Sequence, residues 1–298
     1  MKVLIAGGTG FIGKNLVKKL STLEVETVVL ARNSSELGLK KTSNKFVKEF
    51  HYTRIEEIEL LLKKQSVDYI LNLATNYDSR EDSNYVLKAF NSNILFTTAI
   101  IELSLNHKIP LISFGTYLQE IQEFSTNSSF YVLSKTISHD LLFMLASKSD
   151  FRFVELILND TYGEEDIRQK FLYNVLNSMK GIRVSATYGE QLINLLHVDD
   201  VCDAIIYTLN QLETRKLEFN HSYGIRSSKY VTLRQLASIC ESVFQKESAI
   251  DWGTLNYRGN EVFSEPNLSP VLPNWLEKVP LEIGLQKLSS KFKLLKIV

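Results

Sequence analysis

The chain has 298 residues, enough for one large or two modest domains. Its 44% hydrophobic and 23% charged residues are those of an ordinary soluble globular protein. Lys plus Arg and Asp plus Glu each number 34, a balance that argues against a nucleic-acid footprint or a polybasic membrane-binding face.

In chain order, an apolar run at Val3–Ala6 ends in Gly7, Gly10 and Gly13, and an amphipathic stretch from Phe11 to Leu20 follows at once. This predicts a buried strand, a tight turn and a helix start. A helix N-terminus offers free N–H groups and partial positive charge to phosphate. Glycines at this spacing let backbone approach a pyrophosphate, so dinucleotide binding is expected here. Further strands are expected at Thr27–Ala31, near Phe46–Phe50, and at Asp68–Leu73, Leu111–Phe114 and Arg152–Leu158. Helical spacing falls at Ile55–Gln65, Tyr85–Asn106 and Phe130–Ser147. The alternation predicts an α/β fold: a Rossmann-type doubly wound parallel sheet with a smaller C-terminal lobe. After Leu158 the pattern loosens, with a helix expected at Ile167–Met179, a strand at Leu192–Leu196, a helix at Asp199–Leu212 and long loops from Gly253 to Pro280. Residues 1–158 and 190–220 are assigned to the nucleotide-binding domain, and 159–189 and 221–298 to the lobe.

Cys202 and Cys240 fall in expected helices and lack metal-ligand spacing, so no metal is expected. Two cysteines make no disulfide framework, and the glycines break any leader-like apolar run, so a cytoplasmic location is expected. No apolar stretch long enough to cross a bilayer is expected.

The second motif is Tyr131-Val-Leu-Ser-Lys135. Positions i and i+4 share a helix face, so phenol and ammonium point the same way. The ammonium favours phenolate, which makes Tyr131 a usable general acid near neutral pH. The end of the second strand carries Ala31 and Arg32 where NAD-selective folds place an acid for the ribose hydroxyls. Arg32 can pair with a 2′-phosphate, so NADP(H) is expected over NAD(H).

Gly7-Gly8-Thr9-Gly10-Phe11-Ile12-Gly13 together with Tyr131-x-x-x-Lys135 resembles the extended short-chain dehydrogenase/reductase family of nucleotide-sugar epimerases, dehydratases and reductases. The resemblance covers nearly the whole chain. Leu73-Ala74-Thr75 resembles the family's cofactor-lining segment, and Asn93 its helix asparagine. Tyr162-Gly163, Gly189-Glu190-Gln191 and His197-Val198-Asp199-Asp200 resemble its later signatures. The resemblance implies that Gly7, Thr9, Gly10, Phe11, Ile12, Gly13, Arg32, Leu73, Ala74 and Thr75 bind the cofactor with Tyr131 and Lys135. It implies a third catalytic hydroxyl after the fifth strand. Thr116 is chosen by strand length, while counting back from Tyr117 favours Ser113. Arg258 matches a late arginine that clamps the substrate's diphosphate, a task suited to bidentate guanidinium bonds. Gln191 and Lys170 are assigned to the substrate as well.

The chain departs from the family pattern at Ile157, Ile193, Asn194 and Leu195. Tyr117 and Leu118 stand where dehydratases carry an acidic pair, and the same loop has no cysteine of the kind used to epimerise C3 or C5. NADPH-dependent C4 ketoreduction of a nucleotide-linked 4-keto-6-deoxy sugar is therefore expected. Lys170-Phe171 and the Leu73–Tyr77 segment are similar to the branch acting on CDP-linked 3,6-dideoxy sugars, with surface polysaccharide as the destination. C4 epimerisation is the alternative, and a non-catalytic NADP(H) sensor the alternative from another class. A homodimer through the helices at Tyr85–Asn106 and Phe130–Ser147 is also implied.

Overall fold

A computed structural model describes residues 1–32, 45–77, 83–121, 129–168, 170–258, 261–266 and 268–292. The chain begins with β1 (Lys2–Ala6), α1 (Phe11–Thr22), β2 (Glu26–Arg32), β3 (Val47–Tyr52), α2 (Ile55–Lys64) and β4 (Tyr69–Asn72). Then come α3 (Ser83–Ala89), a wide π-helical turn (Phe90–Leu95), α4 (Phe96–His107) and β5 (Leu111–Thr116). These lead to α5 (Leu118–Ile121), α6 (Phe130–Ala146) and β6 (Phe153–Leu158). The later chain carries β7 (Asp160–Tyr162), α7 (Phe171–Ser178), β8 (Val184–Ser185), β9 (Leu192–Ile193), β10 (Leu195–His197) and α8 (Val198–Glu213). It continues through β11 (His221–Ile225), β12 (Val231–Thr232), α9 (Leu233–Phe244), β13 (Ile250–Asp251), α10 (Leu281–Lys287) and α11 (Ser289–Phe292).

Seven parallel strands form one sheet in the order β11-β6-β5-β4-β1-β2-β3. Strands covered on both faces read as continuous apolar runs. Val3, Leu4, Ile5 and Ala6 of β1 have no exposed surface, and Leu111, Ile112, Phe153 and Val154 none either. Each fully buried Val, Leu or Ile side chain contributes about 1.5–3 kcal/mol of transfer free energy. Strand order reverses between β1 and β4, and ligands of such sheets bind at that switch point, off the carboxyl ends of the strands.

The chain divides into two compact units. One comprises Met1–Leu158, Cys202–Ile225 and Ser269–Pro273; the other comprises Asn159–Val201, Arg226–Leu268 and Asn274–Val298. The boundary differs from the expected one in three places, one of them Ser269–Pro273, which joins the first unit. Glu190–Val201 belongs with the second unit, because β9 pairs with β12 and β10 with β7. His221–Ile225 is the edge strand of the sheet, paired with β6 from His221↔Val154 to Ile225↔Leu158. The expected strand Leu192–Leu196 is split at Asn194, whose Nδ2 donates to the carbonyls of Ser227 and Lys229 at 2.8 and 3.0 Å. The expected helix Ile167–Met179 begins only at Phe171. The core of the second unit gathers α7, α9 and α10 around Leu176, Leu236, Cys240 and Leu285. Both cysteines are buried thiols, and burial pushes that of Cys240 up to about 12.

The expectation of no span-length apolar segment is corrected. The helical run Tyr85–His107 is long and apolar enough, by length and composition alone, to cross a membrane. Its inner stripe of Asn93, Thr97, Ile100, Ile101 and Ser104 is buried within the first unit.

Candidate active site

The turn after β1 is tightly built. Gly7 sits at φ +81°, where a side chain is strained, and a Cβ there would run into the backbone of Leu73 and Ala74. At Gly13 a Cβ would strike Gly7 and Gly8, so only glycine lets α1 pack onto the turn. The Gly10 N–H donates to the Gly7 carbonyl at 3.1 Å, and Gly10 caps α1, whose first turn has no acidic residue. The helix start keeps its positive end for an anion. Thr9, Phe11 and Ile12 flank it, partly exposed. On the far side of the switch point the Leu73 N–H donates to the Ala6 carbonyl at 2.9 Å, which sets Leu73, Ala74 and Thr75 against the glycine turn. A backbone-lined cradle beside a bare helix N-terminus fits a dinucleotide pyrophosphate. Arg32 ends β2, is exposed, and lies opposite Tyr52 of β3, whose hydroxyl feels its charge.

Asn93 fastens the lining segment. Its Oδ1 accepts from the Asn76 N–H at 2.6 Å and from Thr75 Oγ1 at 3.3 Å. Its Nδ2 donates to the Asn76 carbonyl at 2.9 Å and to Ser134 Oγ of α6 at 3.2 Å. The π-helical turn carries it, and it is only 2% exposed.

Helix α6 starts at Ser129, whose Oγ accepts from the Val132 N–H at 3.2 Å. That start places Tyr131 in its first turn and Lys135 one turn on, both partly exposed. The Lys135 ammonium donates to the Phe114 carbonyl at 2.7 Å, pinning it beside the end of β5. Burial lowers its pKa to about 8, against the opposing pull of Glu155. The Tyr131 ring meets Tyr77 edge-to-face, with centroids 5.0 Å apart. Thr116 is the last residue of β5, buried, and its N–H donates to Gln119 Oε1 at 3.1 Å. Ser113 lies inside the strand, between Asn72 and Glu155 in register.

The second unit holds the other assigned residues. Gln191 is buried; its Nε2 donates to Thr187 Oγ1 at 2.8 Å. Glu261 accepts from the Gln191 side chain and feels the charge of Arg258, while burial raises its carboxyl pKa overall. Gln191 and Arg258 thus meet around Glu261. Arg258 is exposed, and its neighbours Gly259 and Asn260 lie outside the described residues. Lys170 lies elsewhere: its Nζ donates to Asp160 Oδ1 at 2.6 Å. It lines an open, shallow pocket with Thr161, Arg168, Tyr173 and Leu195. No cluster of metal-ligating side chains occurs among the described residues.

Sequence reasoning passed over Tyr77 as a partner of Tyr131, and passed over Glu155 and His139. An acid inside the run Phe153–Leu158 was the available signal, because a carboxylate in a sheet covered on both faces needs partners.

The chain is 25% identical over 276 residues to the CDP-abequose synthase of Salmonella typhimurium, covering 89% of each chain. It is 24% identical to the dTDP-4-dehydro-6-deoxyglucose reductase of Escherichia coli, covering 98% of this chain and 97% of the other. The UDP-glucose 4-epimerase of Thermotoga maritima superposes with a TM-score of 0.76 at 18% identity, covering 98% and 99% of the two chains, and shares the fold. The model of the NAD dependent epimerase/dehydratase family matches residues 3–221, and the chain belongs to that family of enzymes.

Proposed function

We propose that this protein is an NADPH-dependent C4 ketoreductase of a nucleotide-linked 4-keto-6-deoxy or 3,6-dideoxy sugar, CDP-linked. One observation carries the reading: the Lys135 ammonium, anchored on the Phe114 carbonyl, brings the Tyr131 face of α6 to the carboxyl end of β5, where Thr116 emerges. The similarity to a CDP-abequose synthase and a 4-keto sugar reductase supports the direction and the substrate class. The reduced nicotinamide, when bound, supplies hydride to the sugar C4. Tyr131 gives its phenolic proton to the C4 oxygen, so that carbonyl becomes alcohol. Lys135 holds the nicotinamide ribose and, as an ammonium, lowers the phenol pKa of Tyr131. Thr116, at the strand end, hydrogen-bonds the C4 oxygen; Ser113, inside β5, is set aside for that role. The NADP(H) preference rests on Arg32 and on the absence of an acid at Ala31. Arg258 is assigned to the substrate diphosphate, and Gln191 and Lys170 to the rest of the nucleotide sugar.

We place the protein in the cytoplasm, in surface polysaccharide synthesis. We infer a homodimer through α3, α4 and α6, which expose Val86, Leu87, Ile137 and Met144.

The test is direct. Purified protein is mixed with NADPH and a CDP-linked 4-keto-3,6-dideoxy sugar, and the product is read by NMR. One NADPH is expected to be oxidised per C4 alcohol formed, and Tyr131→Phe is expected to abolish turnover while binding NADPH normally. Interconversion of C4 epimers without net NADPH oxidation would make the protein an epimerase. Cofactor binding with no turnover of any CDP-, GDP-, UDP- or dTDP-linked 4-keto sugar would make it a sensor.

A further inference from the structure

Glu155 is 1% exposed in the middle of β6, flanked by Val154 and Leu156, which are fully buried. A lone carboxylate there would cost several kcal/mol, and a hydrophobic residue would serve packing better. Its partners come from three elements. Oε2 lies 2.6 Å from His139 Nδ1 on α6 and accepts from Ser222 Oγ of β11 at 2.7 Å. Oε1 accepts from Gln119 Nε2 at 3.3 Å. The Oε1 of that same Gln119 takes the Thr116 N–H.

Two chains of contact therefore leave one carboxylate. One runs through His139 to α6, where Tyr131, Lys135 and His139 follow at i, i+4 and i+8 on one face. The other runs through Gln119 to the end of β5. The charge of Glu155 also acts on Lys135, opposing the effect of burial on the ammonium. His139 is held above its usual pKa chiefly by the hydrogen bond to Glu155, with Asp140 of α6 and Glu120 of α5 adding to the same direction. In register, Asn72, Ser113, Glu155 and Ser222 form one polar row across β4, β5, β6 and β11. That row continues into the helices: Asn72 Nδ2 donates to Thr97 Oγ1 of α4 at 3.3 Å.

We propose that Glu155 is a positioning residue for the reaction: one buried carboxylate that supplies the counter-charge for Lys135 and ties α6 and the Thr116 end of β5 to a common anchor. This rests on the assignment of Tyr131, Lys135 and Thr116 as the reacting set. Glu155 touches no reactant. Its carboxylate is held by three hydrogen bonds, from His139, Ser222 and Gln119. Its effect on chemistry passes through the charge of Lys135, which must stay protonated to favour phenolate at Tyr131.

The experiment reads Lys135 itself. Competitive acetylation of the full-length, substrate-free protein with acetic anhydride, across pH 6–11 and quantified by mass spectrometry of the Lys135 peptide, gives its titration midpoint. In Glu155→Gln, which keeps the size and loses the charge, the midpoint is expected to fall by about one pH unit or more, the scale of an opposite-charge neighbour. The alkaline limb of kcat/KM is expected to move down with it, and Glu155→Asp to restore both in large part. His139→Gln frees Glu155 from a competing partner, and the Lys135 midpoint is expected to hold or rise. An unchanged midpoint in folded Glu155→Gln overturns the proposal. If that variant fails to fold, a midpoint that falls in His139→Gln overturns it instead. Acetylation needs neither substrate nor turnover. A moved midpoint in a protein that reduces no sugar nucleotide would therefore refute the ketoreductase assignment and uphold the charge coupling of Glu155 to Lys135.

Discussion

Asn93→Ala should separate the scaffold of the cofactor site from its chemistry. The side chain makes four hydrogen bonds, at 2.6, 2.9, 3.2 and 3.3 Å, in a place only 2% exposed. Truncation leaves the Asn76 N–H without its acceptor, and an orphaned buried donor costs about 1–3 kcal/mol. The Asn76 carbonyl keeps a 3.3 Å bond from the Tyr85 hydroxyl, so that loss is partial. With the Ser134 contact, the sum is about 2–4 kcal/mol. For a domain of this size that lowers the melting temperature by about 5–15 °C. The Leu73–Thr75 segment hangs from the same asparagine, so NADPH affinity should fall several-fold and its thermal stabilisation at fixed concentration should shrink. Calorimetry with and without NADPH measures both. Asn93→Asp keeps the acceptor for Asn76 and should fall between. A melting temperature within about 1 °C of wild type in Asn93→Ala would refute the idea that this side chain carries the segment.

Three further outcomes are expected. Arg32→Ala should weaken NADPH by about ten- to a hundred-fold, the loss of one charge-assisted bond, and leave NADH nearly unchanged; equal loss in a titration of both cofactors would remove Arg32 from the 2′-phosphate. Arg258→Ala should raise the KM for the sugar nucleotide by about ten- to a hundred-fold with NADPH affinity intact, and steady-state kinetics paired with cofactor titration would expose a selective loss of NADPH instead. The stability of the protein should respond to pH in two opposed ways. The raised pKa of His139 gives stability that is complete below about pH 6.5 and lost as pH rises through its folded value. Lys135, lowered to about 8, regains stability from there up to about pH 10.4. Urea midpoints against pH should lose the first slope in His139→Gln and the second in Lys135→Met, and a wild-type profile in either variant would contradict the corresponding group.

The sheet was legible where strands are buried on both faces, because Val3–Ala6 of β1 is an unbroken apolar run and β5 and β6 are apolar apart from Ser113, Thr116 and Glu155. It was illegible at β11, where His221, Ser222 and Gly224 carry no such signal and Ser222 serves Glu155 instead of the core. Helix α9 announced itself only locally, through the reciprocal cap of Thr232 with Gln235. The glycine turn and Tyr131–Lys135 were readable because their spacing is short and along one element. Tyr77 beside Tyr131, and Glu155 with His139, join residues far apart in sequence. No periodicity within one segment reports such a contact.

The buried residues Tyr85, Ala89, Asn93, Thr97 and Ile101 recur at strict intervals of four. On a regular α-helix, with about 100° per residue, such a stripe would wander by about 160° over its length and could not stay indoors. The wide turn at Phe90–Leu95 behaves as one inserted residue and takes back about 100° of that drift. Winding the same residues as a regular α-helix would swing Tyr85 and Ala89 about 100° toward solvent, whereas deleting one residue of the turn would leave a regular helix with both halves of the stripe in phase. The wide turn therefore lets one uninterrupted helical run keep a four-residue repeat on its buried side.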